Sequence, residues 1–218
     1  MKLSINLFMT LDGVSQSPGS PQEDPRDGFT HGGWLMPLFD EGSGRVVDDW
    51  FSRCTALLLG RRTYDTFASH WPQVTDTEDR VAAQINQGPK YVVTSSAVGE
   101  PWARTTTVLE GNFLDKIQQL KSSPGDELQV HGSIRLARAL HQVGMVEVYR
   151  FLLAPVVVGG GAGIFDAEGP AFTMAASAGS VTENGLVALE LTPGEFRAAN
   201  AAVQDGKDAI QQPSRPAS

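Results

Sequence analysis

The chain has 218 residues, the size of one domain or occasionally two small ones. Hydrophobic residues at 41% against 19% charged residues supply a packed core, which excludes a chain disordered by composition. Lys plus Arg number 17 and Asp plus Glu 25, a net charge of −8 that speaks against general nucleic-acid binding, and the single cysteine, Cys54, excludes an internal disulfide and every multi-cysteine metal site.

Ile5, Leu7 and Met9 alternate with Ser4, Asn6 and Phe8, the period of a strand. A loop rich in Gly, Pro and Asp follows from Asp12 to Gly33, broken by Pro18, Pro21 and Pro25. Val46, Val47, Trp50 and Phe51 recur at helical spacing, and Ala56-Leu57-Leu58-Leu59, ended by Gly60, reads as a strand buried on both faces. Thr63 to Ala68 and Asp79 to Asn86 are short helices, and Tyr91-Val92-Val93 is another buried strand. Thr105 to Leu109 is extended, Phe113, Ile117 and Leu120 mark a helix stopped by Pro124-Gly125, and Leu128-Gln129-Val130 is a strand. Ile134 to Val143 is an amphipathic helix closed by Gly144, and Val146 to Val158 and Val181 to Leu191 are long strands.

Strand and helix in repeated alternation predict an α/β fold, a mostly parallel sheet covered on both faces, with an antiparallel edge from the last strands. Residues 1–195 are expected to form one domain and 196–218 a flexible C-terminal tail. The N-terminus lacks the apolar block of a signal peptide. The longest uncharged apolar stretch, Phe151 to Phe165, carries Pro155 and four glycines and is too short to span a bilayer. A cytoplasmic protein without a membrane partner is expected.

In an open α/β sheet, ligands bind beyond the carboxyl ends of the strands. Three such ends carry suitable residues. In Leu59-Gly60-Arg61-Arg62-Thr63 a glycine permits a sharp turn and two guanidiniums stand where a helix begins, a pattern for an anion; the alternative is a surface pair bridging to carboxylates such as Asp65. Val130-His131-Gly132-Ser133-Ile134 feeds a helix through Gly-Ser, either a phosphate turn or an ordinary capped turn. Thr94, Ser95 and Ser96 can meet a ribose or phosphate, or simply make a turn. The run from Gly159 through Gly160 and Gly161 to Gly163 is not followed by a helix, so it reads as a flexible turn flanking a pocket rather than a dinucleotide fingerprint. His31, His70, His131 and His141 lack metal-ligand spacing and read as satisfied polar residues, so no metal site is expected.

Met9-Thr10-Leu11-Asp12-Gly13, His31-Gly32-Gly33-Trp34, Leu58-Leu59-Gly60-Arg61-Arg62-Thr63-Tyr64, Lys90-Tyr91-Val92-Val93-Thr94-Ser95-Ser96, Val130-His131-Gly132-Ser133 and Pro155-Val156-Val157-Val158-Gly159-Gly160-Gly161 stand in an order that resembles the dihydrofolate-reductase-like family. That family includes the reductase domain of the bifunctional riboflavin-biosynthesis deaminase-reductase. The resemblance covers the chain up to about residue 195 and ends in the tail. It implies a dihydrofolate-reductase-like fold with NADPH along one sheet edge. Gly60, Arg61, Arg62 and Thr63 would then hold the 2′-phosphate and pyrophosphate region, with Thr94, Ser95 and Ser96 near the ribose. Gly132, Ser133, Ile134 and Leu136 would meet the pyrophosphate, and Thr10, Leu11 and Gly13 the nicotinamide. A 2′-phosphate is a dianion suited to arginine, so NADPH is expected over NADH.

Two departures separate the chain from named members. A single cysteine could not build the zinc-deaminase half, so a stand-alone member is expected. Trp34-Leu35-Met36-Pro37-Leu38-Phe39-Asp40 is one residue longer than the Trp-x-x-Pro-x-Asp pattern of folate enzymes. The implied reaction is hydride transfer to a C=N or C=O carbon of a small pterin- or pyrimidine-like substrate, with Asp12, Asp40 or water as proton source. Trp34, Met36, Phe39 and Trp71, with Gly159 and Gly160, are the expected substrate contacts, although the aromatic residues also suit a core. Relatives often pair through edge strands, so a homodimer through Val181 to Leu191 is expected. The alternative is a nucleotide-binding, non-catalytic or sensing member of the same fold.

Overall fold

The computed structural model describes residues 1–165, 171–204 and 207–211. β1 (Lys2–Thr10), β2 (Cys54–Gly60), β3 (Lys90–Val93), β4 (Thr106–Leu109), β5 (Glu127–His131) and β6 (Val148–Ala154) pair in parallel. β7 (Phe172–Val181) and β8 (Val187–Glu195) add antiparallel, giving an eight-stranded sheet of order β4-β3-β2-β5-β1-β6-β8-β7. Parallel neighbours need crossovers, supplied by α1 (Glu41–Ser52), α2 (Arg61–His70), α3 (Arg80–Gln87), α4 (Phe113–Lys121) and α5 (Ile134–Gln142).

The strand period decides the two faces. Leu3, Ile5, Leu7 and Met9 of β1 meet Ile117 of α4 and Leu136, Ala137 and Leu140 of α5. Leu57 and Leu59 of β2 meet Phe51 of α1, Tyr64 of α2 and Ile85 of α3, while Ala56 and Leu58 point to the α4–α5 side. Helices therefore cover both faces, as the alternation predicts.

The α1 side of the central strands carries polar groups among the apolar ones. Arg150 of β6 is only 1% exposed and makes a two-pronged ion pair with Glu127 of β5, at 2.7 Å for each arm. Its Nε reaches Glu190 of β8 at 2.6 Å, and its Nη1 reaches Asn6 of β1 at 3.1 Å. Gln129 donates to Glu127, and its Oε1 meets His131 Nε2 at 2.9 Å. Every charge in this row has a partner, the condition on which buried ions are tolerated.

Three boundaries differ from the sequence expectations. The strand expected over Val146 to Val158 ends at Ala154, because Pro155 offers no N–H to the ladder and Val156 N–H turns back to Ala154 O at 2.7 Å. The strand expected over Val181 to Leu191 is a hairpin turn and the start of β8. Thr182 and Leu186 close the turn, with Gly185 at φ 84°. The true edge strand is β7, whose Ala- and Ser-rich residues give little strand signal. The stretch expected as a flexible tail carries β9 (Asn200–Gln204) and β10 (Lys207–Gln211), an antiparallel ribbon outside the main sheet. Residues 205–206 and 212–218 of that stretch lie outside the described residues.

Candidate functional site

The register of β2 on β5 pairs Leu57 with Gln129, which brings Gly60 level with Gly132 three residues later. From these neighbouring ends the chain leaves in opposite directions, into α2 on one face and α5 on the other. A crevice opens where adjacent strands part in this way. Two helix N-termini converge on it, and each leaves backbone N–H groups without intrahelical partners. Neither N-cap residue, Gly60 for α2 or Ser133 for α5, caps its own helix with a side chain.

The Ser133 hydroxyl oxygen ties the two helix starts together. Its Oγ accepts Gly60 N–H at 2.9 Å, and Ser133 N–H donates to Thr63 Oγ1 at 3.0 Å. Gly132 and Ser133 both adopt left-handed backbone, with φ of 56° and 52°. At Gly132 it is this backbone, rather than any crowding by Thr63, that favours glycine. The two turns singled out in the sequence thus form one unit. Ile134 and Leu136 lie in the first turn of α5; the Leu136 side chain is in the core, so only its backbone faces the crevice end. Arg135, exposed in that same turn, adds a cation that the sequence reading passed over.

Arg61 follows the second of the readings given for it, the bridge to a carboxylate. It bridges to Asp65 at 2.9 Å and donates from Nη1 to Ala97 O at 3.0 Å, which ties the segment after β3 to the start of α2. Within that segment Thr94 Oγ1 accepts Ser96 N–H at 3.1 Å, and Ser95 and Ser96 are exposed, so the hydroxyl run does make a turn beside Arg61. Arg62 is 47% exposed at its side chain and points to Asp24 of the long loop, at 3.5 Å.

At the ends of β1 and β6, Thr10 and Asp12 build a second unit. Thr10 Oγ1 donates to Asp12 Oδ1 at 2.6 Å and accepts Val14 N–H at 3.0 Å. Asp12 accepts Val158 N–H at 3.2 Å and Gly159 N–H at 2.8 Å. The Thr10 hydroxyl first, and then these backbone donors, hold the Asp12 carboxyl below the usual range. Leu11 is exposed, and Gly13, at φ 82°, sets its carbonyl where any Cβ at Gly163 would collide with it. Gln16 completes the junction: its Oε1 accepts Ala162 N–H and its Nε2 donates to Asp24 O, both at 2.9 Å. Gly159, Gly160 and Gly161 line a groove of about 470 Å³ with Gln16, Arg26 and His31.

Four expectations need correction. Asp12 is an exposed acceptor of backbone N–H groups, which opposes the raised pKa a proton donor wants. Asp40 is the N-cap of α1, in a reciprocal capping box with Ser43. The Asn184 N–H first, and then Ser43, pull its carboxyl well below the usual range. Trp34 is core, its Nε1 donating to Gln16 O at 2.8 Å. Trp71 follows the last residue of α2, about 15 Å of helix away from the crevice, and packs on Phe67 and His70. Met36 and Phe39 remain accessible, at 47% and 38%, beside the start of α1. Asp24, Gln16 and Ala97 were missed because the contacts that bring them to the site, with Arg62, Ala162 and Arg61, span 38, 146 and 36 positions, where no local pattern marks them.

Among the described residues no cluster of His, Cys, Asp and Glu gathers as a metal site, and no helix is long and apolar enough to cross a membrane. His131 and His141 are satisfied, by Gln129 and Tyr149.

Comparison with known proteins adds the family. Residues 1–187 match the family model of the RibD C-terminal domain. Uncharacterized protein YyaP of Bacillus subtilis (strain 168) is 24% identical over 170 residues, 75% of this chain and 80% of that protein. A pyrimidine reductase-like protein from Corynebacterium diphtheriae superposes with a TM-score of 0.62 at 11% identity, covering 89% of this chain and 92% of the other. Dihydrofolate reductase from Enterococcus faecalis, complexed with NADP(H) and RAB-propyl, gives a TM-score of 0.55 at 12% identity over 88% and 95% of the two chains. The fold is dihydrofolate-reductase-like, and with its family model matched over most of its length the chain belongs to the RibD C-terminal domain family.

Proposed function

We propose that the protein is an NADPH-dependent reductase, passing a hydride to a C=N or C=O carbon of a small pterin- or pyrimidine-like heterocycle. The observation that carries this reading is the crevice between β2 and β5. Two helix N-termini whose N-cap residues do not cap their own helices, laced together by Gly60, Thr63 and Ser133, meet there beside Arg61 and Arg62. Free N–H groups suit a pyrophosphate and guanidiniums suit a 2′-phosphate. The relatives named as reductases, one of them holding NADP(H), support it.

NADPH, when bound, supplies the hydride. This chain's residues bind and orient. Gly60 to Thr63 and Gly132 to Leu136 hold the phosphates, Thr94 to Ser96 border the ribose, and Thr10 to Gly13 border the nicotinamide. Asp12 fixes the turn at Gly159 and so shapes the groove in which substrate lies against Gly159 and Gly160. With Asp12 and Asp40 both committed as acceptors, water entering that open groove delivers the proton. The same commitment favours one second reading, a nucleotide-binding member without turnover.

The test is a thermal-shift comparison of NADPH with NADH, followed by a panel of pterins, pyrimidines and carbonyl compounds monitored at the reduced-nicotinamide absorbance. Stabilisation by NADPH with its consumption supports the reductase. Stabilisation without consumption supports the second reading, and absence of stabilisation overturns both. The same proposal includes a homodimer joined at β7, a ten-residue edge strand without a charge. Light scattering on the wild type and on Ala178→Lys checks it, a monomeric variant supporting the edge contact.

A further inference from the structure

The long loop after β1 reaches across the sheet end to α2 through an ion pair between Asp24 and Arg62. Asp24 is the residue that crosses. Its carboxylate faces two guanidiniums on very different terms. Arg26, from the same loop, makes two short contacts, Nε to Oδ1 at 2.6 Å and Nη2 to Oδ2 at 2.5 Å. Arg62, from α2, makes one contact at 3.5 Å to Oδ2. Asp24 is further fixed through its backbone, by Ser17 Oγ at 2.6 Å and Gln16 Nε2 at 2.9 Å, and its side chain is only 12% exposed.

The carboxylate therefore belongs to the loop, and Arg62 is its movable partner. A single long contact to a half-exposed guanidinium is weak and easily screened. A phosphate offers the same guanidinium two charged oxygens in a planar fork, a better partner than one distant Oδ2. Resting on the nucleotide reading above, we propose that Asp24 is a resident competitor at the nucleotide seat. Its carboxylate holds Arg62 until a phosphate of the nucleotide takes the guanidinium, and the loop is released from α2 as the nucleotide binds.

Asp24→Asn tests this directly, since the amide keeps the shape and both backbone bonds while losing the charge. Titration with NADPH at low ionic strength should show about fivefold tighter binding by the variant than by the wild type, a gain that shrinks at high salt. The gain should vanish when Arg62→Gln is already present. In the wild type, amide exchange in the loop should quicken on adding NADPH. Equal or weaker binding by Asp24→Asn overturns the proposal alone, and so does a gain that persists without Arg62. Failure of both proteins to bind NADPH overturns the nucleotide reading and takes this proposal with it.

Discussion

Ser133 Oγ accepts the Gly60 N–H at 2.9 Å from a residue held at φ 52°, so a strained serine joins the starts of α2 and α5. Left-handed backbone at a non-glycine residue costs on the order of 1 kcal/mol, and the bonds to Gly60 and Thr63 hold it there. Ser133→Ala removes the acceptor and keeps the strain. It is expected to lower the melting temperature and to weaken NADPH roughly tenfold. Ser133→Gly loses the same bond but relieves the backbone, so it should melt above Ser133→Ala. Thermal shifts of the three proteins with and without NADPH check this; equal melting of the two variants would place no strain at Ser133.

Arg61 and Arg62 have unequal structural duties. Arg61 ties Ala97 to α2, whereas Arg62 touches only Asp24 among the contacts that describe it. Arg62→Ala is therefore expected to fold as the wild type does and to lose NADPH affinity about tenfold, with NADH binding nearly unchanged. Arg61→Ala should lose comparable affinity and also loosen the turn at Ala97. Fluorescence titrations with both nucleotides read the difference. An equal loss for NADPH and NADH would assign the guanidiniums to the pyrophosphate instead.

The crevice was legible because its two halves are local patterns. Leu59-Gly60-Arg61-Arg62-Thr63 and Val130-His131-Gly132-Ser133 each announce a buried strand, a turn and a helix start within five residues. What no local pattern showed was the commitment of Asp12, whereas Asp40 and Ser43 do stand at the spacing of a capping box. An Asp before Gly reads as an ordinary turn, and only the fold brings the Gly159 N–H to Asp12 across 147 positions. Similarly, Arg150 lies in a stretch that reads as an apolar strand, and its partner Glu127 opens a different one. β7 escaped because Ala, Ser and Gly dominate it. Trp71 shows the reverse error, an aromatic residue near the motif in sequence and a full helix away in space.

The buried row beneath α1 sets the acid limit of stability, in two separable windows. Burial first, and the Arg150 charge second, push His131 down to about 3 from its ordinary 6.5. The folded chain thus keeps the ring neutral where the unfolded chain takes up a proton. Stability is full above pH 6.5 and falls as pH drops toward 3. Glu127 adds a lower window. Burial raises its pKa, but the hydrogen bonds and charge of Arg150 outweigh it, so the net shift is downward and its loss begins below 4.5. Urea denaturation at stepped pH should show both windows in the wild type. His131→Phe should keep only the lower one, and a slope unchanged between pH 6.5 and 4.5 would contradict the neutral ring. Arg150→Met, which strands Glu127 in the interior, should cost about 3–5 kcal/mol at neutral pH.

Asp40 and Asp12 decide whether a carboxylic acid serves the reaction. The Asp40 side chain accepts Ser43 N–H at 2.7 Å and Asn184 N–H at 2.8 Å, so it starts α1 and anchors the β7–β8 turn together. Asp40→Ala removes both contacts and should lower the melting temperature by a few degrees. If the proton comes from water, turnover on any accepted substrate should stay within about threefold, because such a source needs no group of matched pKa on the chain. Asp12→Asn keeps one acceptor oxygen for Gly159 N–H, so its main effect should be a higher KM through the reshaped groove, with kcat held. A proton donor behaves oppositely, since its loss lowers kcat by two orders of magnitude or more while leaving substrate binding intact. Steady-state kinetics on both variants, read as the split between KM and kcat and across pH 5–8, separates the two cases. A kcat that collapses in either variant and loses its pH dependence there would restore that carboxyl group as the acid.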